Sequence, residues 1–104
     1  SNVKIGSDTR IQSHTFICSD VEIGNNCFVG HGVMFTNDSF ANGKVNFDPP
    51  FEKTNIGNNV LIGSNSTILA ISIVDNVIIG AGSVITKNIT EPGVYVGNPA
   101  KKIK

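Results

Sequence analysis

The stretch from Ile56 to Thr86 reads IGNNVLIGSNSTILAISIVDNVIIGAGSVIT, and it repeats every six residues. Units beginning at Ile56, Ile62 and Ile79 each open with an aliphatic residue, continue with glycine, and carry a small or β-branched residue four places after the aliphatic one. This period matches neither the helical turn of about 3.6 residues nor the two-residue alternation of an ordinary strand. It is typical of short strands joined by corners, so the sequence predicts an all-β parallel β-helix.

The period also predicts which side chains are buried. The first residue of each unit points inward, and its aliphatic side chain stacks on those of neighbouring turns. Glycine and asparagine suit the corners because both tolerate a positive φ, which β-branched residues resist. One unit cannot bury its apolar face alone, so stability depends on turns stacked about 4.8 Å apart through interstrand hydrogen bonds.

The repeat runs along most of the chain. An earlier series of sixes starts at Ile5 and continues without a slip to Phe35, and the later series contains one five-residue unit, Ile68 to Ser72. The segment between the two series is rich in turn residues and contains Phe40, Phe47 and Phe51, so we expect an ordered loop. The expected organisation is a single domain over 1–104, with repeats at 1–36, a loop at 37–54, repeats at 55–89 and a C-terminal segment at 90–104.

Composition narrows the possible functions. The 104 residues have a formal net charge of zero and a pI near 6.7, which argues against a nucleic-acid binder. No apolar run is long enough to span a bilayer and no signal peptide is evident, so we expect a cytoplasmic protein with no membrane partner. Cys18 and Cys27 do not have metal-motif spacing and are expected to be free thiols, with Cys27 at a small packing position.

Stacking the predicted turns shows which outward residues become neighbours on the surface. If the loop replaces no strand, the unit at Val29 lies beneath the unit at Ile62, which lies beneath the unit at Ile79. The next outward column is then His31, Ser64 and Ala81. This column is small and flanked by glycine, so an extended ligand can approach the backbone N–H groups closely. A groove with accessible amides, an imidazole and a covering loop meets several requirements of a transfer site.

Three segments resemble a known family. Together with the repeated sixes, they are similar to the hexapeptide-repeat acyltransferases. The segments are VGHGVMFTND at 29–38, IGAGSVITKNI at 79–89 and VGNPAKKI at 96–103. Within that superfamily, the chain most resembles the sugar-nucleotide N-acetyltransferases that acetylate amino sugars for bacterial surface polysaccharides. The sixes indicate only the fold, whereas HGVMFTND followed by a loop and GNPAK points to this enzyme group.

The resemblance implies a left-handed coil and a homotrimer with its active sites in clefts between subunits. It implies acetyl-CoA as co-substrate, with its pantetheine arm bound by backbone groups around Ser64, Gly80 and Ala81. The nucleotide end is expected near a second set of residues, namely Thr86, Lys87, Asn98, Pro99, Ala100 and Lys101. No metal is expected, and the other substrate is a nucleotide-linked amino sugar.

Acetyl transfer requires a neutral amine, a donor for the developing oxyanion and an acceptor for the amine proton. His31 is a candidate for the proton acceptor because the ordinary pKa of histidine is near neutral. The alternative is that His31 only hydrogen-bonds the substrate, while solvent or the departing thiolate takes the proton. The resemblance implies that Asn37 orients the amine, and we assign Asn37, Asp38 and Phe40 to the acceptor. Asp38 has a second interpretation, as a cap of the turn.

Three other functions fit the same fold. An O-acetyltransferase would act on a small hydroxyl acceptor and would depend on its base. A non-catalytic β-helix scaffold would have a blocked ligand groove. A zinc-dependent carbonic anhydrase needs three histidines around the metal, and the sequence contains only His14 and His31, so this function is disfavoured.

Overall fold

The chain forms a parallel β-helix in a computed structural model that describes residues 2–104. Its strands are two to five residues long and are separated by tight corners. In chain order they are β1 Val3–Ile5, β2 Arg10–Ile11, β3 Val21–Ile23, β4 Phe28–Val29, β5 Met34–Phe35, β6 Thr54–Ile56, β7 Leu61–Ile62, β8 Thr67–Ile68, β9 Ser72–Ile73, β10 Val77–Ile79, β11 Val84–Ile85, β12 Gly93–Gly97 and β13 Ala100–Lys102.

Successive strands join different sheets, so each sheet is one face of a coil. Face A has the strand order β1-β3-β6-β9, face B has β2-β4-β7-β10-β12-β13, and face C has β5-β8-β11. Pairing is parallel throughout these sheets except between β12 and β13, which form an antiparallel hairpin at the C-terminal end. The predicted β-helix is therefore confirmed.

The register between turns follows the repeat. Val29 pairs with Ile62, which pairs with Ile79, as the stacking of sixes predicts. Across residues 36–53, Ile23 pairs with Ile56, so both repeat series belong to one coil. Ile56 then pairs with Ile73 after a turn shortened by the five-residue unit. The missing residue is taken out of a corner, and Ile73 stays buried.

The core consists of two inward positions in each unit. Strands β3, β6 and β10 alternate buried, exposed and buried residues, so the small position and the following aliphatic residue both point inward. The sixteen buried hydrophobic residues from both repeat series form one cluster. Cys18 and Cys27 belong to it and are free thiols. Burial raises the pKa of the Cys18 thiol, with a smaller contribution from the nearby Asp20.

Asparagine and glycine occur in the repeats for different structural reasons. Asn26, Asn59 and Asn76 occupy corners with φ between 56° and 63°, as expected for residues that tolerate the left-handed region. The glycine that follows each aliphatic residue is needed for close approach of adjacent turns. A Cβ added at Gly63 would lie 2.5 Å from the backbone nitrogen of Ala81, so no side chain fits there. The expectation of a positive φ at corners thus holds for these asparagines and for Gly32 and Gly82, and not for Gly63.

Residues 37–53 leave the coil and contain no strand. The expected loop at 37–54 is one residue too long, because Thr54 is buried and begins β6. A hydrogen bond joins the two ends of this loop, since the Ser39 N–H donates to a Glu52 carboxylate oxygen at 2.7 Å. Two of the phenylalanines that led us to expect an ordered loop do not pack into the core, because Phe40 is 58% and Phe47 is 83% exposed, whereas Phe51 is half-buried. Within the described residues, the structure also contains no helix long and apolar enough to cross a membrane.

One buried hydroxyl tests the packing of face A. Thr54 is 1% exposed, and its Oγ1 has no hydrogen-bond partner among the described residues. Because the buried hydroxyl has lost its hydrogen bonds to water without gaining one in the protein, Thr54→Val should raise the free energy of unfolding by about 1 to 2 kcal/mol. Urea denaturation followed by circular dichroism measures this change.

Thr15→Val is the matched control, because its Oγ1 donates to the Gly30 carbonyl at 2.8 Å and accepts from the Val33 N–H at 3.3 Å. It should lower the free energy of unfolding by about 1 kcal/mol. Equal effects from the two substitutions would show that the Thr54 hydroxyl is satisfied.

Candidate active site

The corner between faces B and C contains the column that the sequence predicted. His31, Ser64 and Ala81 stack one turn above another, with Ser13 one turn below His31. Backbone hydrogen bonds link these levels, since the Asn65 N–H donates to the His31 carbonyl at 2.8 Å and the Gly82 N–H donates to the Ser64 carbonyl at 2.9 Å. We call this column of four residues the B/C groove.

Glycines let adjacent turns approach one another closely along the B/C groove. Gly30 is buried, and a Cβ there would lie 2.7 Å from the Ser64 backbone nitrogen. At the upper end Val96 lies against Gly80, and the Gly80 N–H donates to the Tyr95 carbonyl at 2.9 Å. The Gly80 amide is therefore used within the protein, while the level of Ser64 and Ala81 is more accessible.

The corner between faces A and B shows how outward amides are normally satisfied. There the Ser7, Asn25 and Asn58 N–H groups each donate to a side-chain oxygen one turn above, at 2.7 to 2.8 Å. The acceptors belong to Asn25, Asn58 and Asp75. We call this series of amide to side-chain hydrogen bonds a ladder. Each of the three amides has an acceptor in the turn above it.

Among the described residues, the B/C groove has only one bond of this kind. The His31 N–H donates to Ser64 Oγ at 3.1 Å, but the residue above Ser64 is Ala81, whose methyl group cannot accept a hydrogen bond. Within the described residues, the Ser64 amide therefore has no side chain above it to act as acceptor. Ser64 is half-buried, so this N–H group is a donor that a ligand lying in the groove can use.

The imidazole of His31 is exposed beside this donor. Its Nδ1 lies 3.0 Å from Ser13 Oγ, which leaves Nε2 available to a ligand. Sequence reasoning did not identify Ser13. The signal was present, because Ser13 precedes His31 by one 18-residue turn and so had to lie directly beneath it.

A second group of predicted residues lies where the chain leaves face C. The carboxylate of Asp38 accepts from the Phe40 N–H at 3.0 Å and from the Asn46 N–H at 2.7 Å. Asp38 thus holds the loop, as the turn interpretation expects, and its contact with an acceptor stays a prediction. The Asn37 amide is half-buried and donates to the Ser19 carbonyl at 3.5 Å. A cavity of about 280 Å³ adjoins them, lined by Thr36, Asp38, Ser39, Phe40, Leu69 and Ala70.

A third group lies at the C-terminal end of the coil. A cavity of about 290 Å³ separates the last corner from the β12-β13 hairpin and is lined by Ile85, Thr86, Lys87, Asn88, Ile89, Tyr95, Pro99, Ala100 and Lys101. Asn98 lies in the hairpin turn, where its bond to Pro99 is cis. The residues predicted to bind the cofactor are therefore divided between this cavity and the B/C groove.

One chain does not bring His31 and Asn37 together. They lie at opposite ends of the same six-residue leg, up to about 20 Å apart at roughly 3.3 Å per residue. The structure therefore places the two side chains at different corners of one chain, before and after β5. Within residues 2–104 there is also no group of three or more His, Cys, Asp or Glu side chains that could hold a metal ion.

Comparison with known families supports the assignment from the repeats. The model described as bacterial transferase hexapeptide (six repeats) matches residues 2–37. The model described as hexapeptide repeat of succinyl-transferase matches residues 53–87. The chain belongs to the hexapeptide-repeat acyltransferase superfamily.

Individual relatives agree with this membership. The chain is 36% identical over 107 residues to the bifunctional protein GlmU of Streptococcus uberis, an alignment covering 99% of this chain and 23% of the relative. It superposes on a maltose O-acetyltransferase from Clostridium difficile 630 with a TM-score of 0.84 and 31% identity, covering 99% of this chain and 58% of the other. For soybean serine acetyltransferase the TM-score is 0.78 and the identity 32%, covering 98% and 40% of the two chains.

These superfamily members are longer than the chain described here. The chain spans under a quarter of GlmU and 58% or less of the two solved structures. The alignments nevertheless cover 98% to 99% of this chain.

The open amide of Ser64 gives a direct structural test. Ala81→Asn should place a side-chain acceptor above Ser64, as Asn58 does above Asn25, and slow exchange of the Ser64 amide proton with solvent about tenfold or more. Hydrogen exchange followed by NMR measures this rate. Ala81→Leu has a similar shape without the acceptor and should leave the rate within about twofold. Equal protection in both variants would contradict the interpretation.

Proposed function

We propose that this chain is the acetyl-transfer unit of an acetyl-CoA-dependent N-acetyltransferase. Its acceptor is the amine of a nucleotide-linked amino sugar used in bacterial surface polysaccharide biosynthesis. The main support is the B/C groove, where His31 and the open amide of Ser64 lie on adjacent levels, linked by the His31 N–H that donates to Ser64 Oγ. The proposal includes a left-handed coil formed as one domain over residues 1–104.

The pantetheine arm of acetyl-CoA lies along the B/C groove in this proposal. The Ser64 amide and the small side chain of Ala81 allow close approach, while Gly80 contributes space rather than its N–H group. The nucleotide end extends toward the C-terminal cavity, where Lys87 and Lys101 supply positive charge for phosphates. Thr86 and residues 98–100 line the same end.

The chemistry follows from these positions. The acceptor nitrogen attacks the thioester carbonyl, forming the C–N bond, and the C–S bond then breaks to release the CoA thiolate. The Ser64 N–H donates to the oxyanion that forms between these steps. His31 Nε2 accepts the amine proton and passes it to the thiolate. Holding both substrates in one cleft supplies much of the rate enhancement.

The acceptor site is completed between subunits of a homotrimer. His31 and Asn37 lie at opposite corners of one chain, so the Asn37, Asp38 and Phe40 region of one subunit meets the B/C groove of another. The outward residues support assembly, since Phe28, Leu61 and Ile78 form an apolar stripe on face B with each 40% to 44% exposed. Phe16 and Met34 are exposed on face C, whereas the outward residues of face A are polar, namely Lys4, Glu22, Asn55 and Ser72.

O-acetyl transfer to a small hydroxyl acceptor is the second candidate. It is favoured by the superposition on a maltose O-acetyltransferase at a TM-score of 0.84. A hydroxyl is a weaker nucleophile than an amine and depends more strongly on a general base. The two candidates therefore differ in how much activity remains without His31.

The decisive experiment is thiol release from acetyl-CoA with a panel of nucleotide-linked amino sugars and the matching sugars that carry a hydroxyl in place of the amine. We expect turnover only with an amine. His31→Ala should lower that turnover about a hundredfold without abolishing it, because the attack keeps its oriented substrates and oxyanion donor.

The control is His14→Asn, which replaces an exposed histidine at φ 62° by a residue that tolerates this conformation, and it should leave turnover unchanged. Turnover only with hydroxyl acceptors, reduced to background by His31→Ala, would establish the second candidate. Absence of thiol release with every acceptor would refute both.

The assembly has its own test. Leu61→Glu places a charge in the middle of the apolar stripe on face B, so the trimer should dissociate to monomers and lose activity. Light scattering coupled to gel filtration measures the mass. Asn55→Glu introduces the same side chain on polar face A in the same turn and should leave a trimer. A trimer that survives Leu61→Glu would exclude this stripe from the interface.

A further inference from the structure

The least constrained part of His31 is its imidazole. The backbone of His31 is fixed from above, by the N–H that donates to Ser64 Oγ at 3.1 Å and the carbonyl that accepts from Asn65 at 2.8 Å. Ser13 is fixed as well, because its carbonyl accepts from the Gly32 N–H at 3.0 Å. The ring is exposed, and the contact that fixes its rotation is the one between Nδ1 and Ser13 Oγ at 3.0 Å.

We propose that Ser13 is a positioning residue for the proposed transfer reaction. Its hydroxyl oxygen accepts a hydrogen bond from the Nδ1–H of His31. This arrangement selects the tautomer in which Nε2 carries a lone pair, and it holds that lone pair toward the B/C groove. The inference rests on the proposed function for its catalytic meaning, while the tautomer that it assigns can be tested without any substrate.

The direction of this hydrogen bond decides what His31 can do. If the Ser13 hydroxyl donated its proton to Nδ1, the neutral ring would carry its proton on Nε2 and could only donate to a ligand. With Nδ1–H donating to Ser13, Nε2 takes the proton of the attacking amine, and the resulting imidazolium keeps its bond to Ser13. The ring then returns the Nε2 proton to the thiolate of CoA, so it ends in its starting tautomer.

Ser13 is suited to orientation more than to charge stabilisation. A hydroxyl is neutral, unlike the carboxylate that supports histidine in many active sites, so it stabilises the imidazolium weakly. Removing it should therefore release the ring into other rotamers and tautomers. The loss is expected in turnover, since the backbone donor of Ser64 and the groove that binds acetyl-CoA are unchanged.

The first test is spectroscopic and needs no substrate. Nitrogen-15 NMR of the imidazole distinguishes Nδ1–H from Nε2–H in neutral histidine. We expect mainly the Nδ1–H form in the native protein, a shift toward the Nε2–H form in Ser13→Ala, and recovery of the Nδ1–H form in Ser13→Thr, which restores a hydroxyl. Mainly Nε2–H in the native protein, or no change in Ser13→Ala, would overturn the proposal.

The second test is kinetic. Ser13→Ala should lower kcat about tenfold with the KM for acetyl-CoA within about twofold, and Ser13→Thr should recover most of the loss. In a His31→Ala background, Ser13→Ala should have no further effect, because there is no ring to position. Ser7→Ala, an exposed serine at the equivalent position of the corner between faces A and B, should leave kcat unchanged.

The two tests separate the possible failures. A native protein that shows the Nδ1–H form, but releases no thiol with any acceptor, refutes the proposed function and leaves the assigned tautomer standing. An active enzyme in which Ser13→Ala changes kcat by less than twofold, or lowers it equally without His31, refutes the positioning role of Ser13 and leaves the transfer function standing.

Discussion

Hydrogen bonding between turns constrains everything else in this molecule. Each short strand pairs with the equivalent strand one turn above and below, about 4.8 Å away, so residues must stay in register from turn to turn. A slip of one residue within a strand would exchange inward and outward side chains. The buried aliphatic columns make such a slip costly, because they would be moved into water. The pairing of Ile23 with Ile56 shows that a long excursion is tolerated only because the coil resumes in phase.

That same register creates the candidate site. Residues separated by many positions in the sequence become neighbours one turn apart, so His31, Ser64 and Ala81 form a single column. The chemical character of the column depends on whether the side chain in each turn can accept a hydrogen bond from the amide in the turn below. At the corner between faces A and B, asparagine and aspartate side chains accept from the Ser7, Asn25 and Asn58 amides. In the B/C groove the alanine at position 81 interrupts this series and leaves a donor available beside an imidazole.

Under the proposed function, the geometry of one chain links assembly to activity. A β-helix separates its corners by the length of a leg, which keeps His31 and Asn37 apart whatever their side chains do. Apolar outward residues on faces B and C, next to a polar face A, suit a protein whose surface is partly covered by copies of itself. Under the proposed function, the catalytic histidine and the loop that orients the acceptor are supplied by different subunits.

The sequence alone determined the β-helix, most of the inward positions and the stacking of the turns, because a six-residue period leaves one way to bury the aliphatic side chains. Ile5 is an exception, since this residue was expected to be buried and is 46% exposed in β1. It also identified the superfamily, and it aligned His31 with Ser64 across the excursion. Only the tertiary structure decided how polar groups within that frame are satisfied. It shows that Asp38 holds its own loop, that the amide of Gly80 is already used and that Ser13 contacts His31. These contacts depend on side-chain direction and on which donors have acceptors nearby, and a repeat period specifies neither.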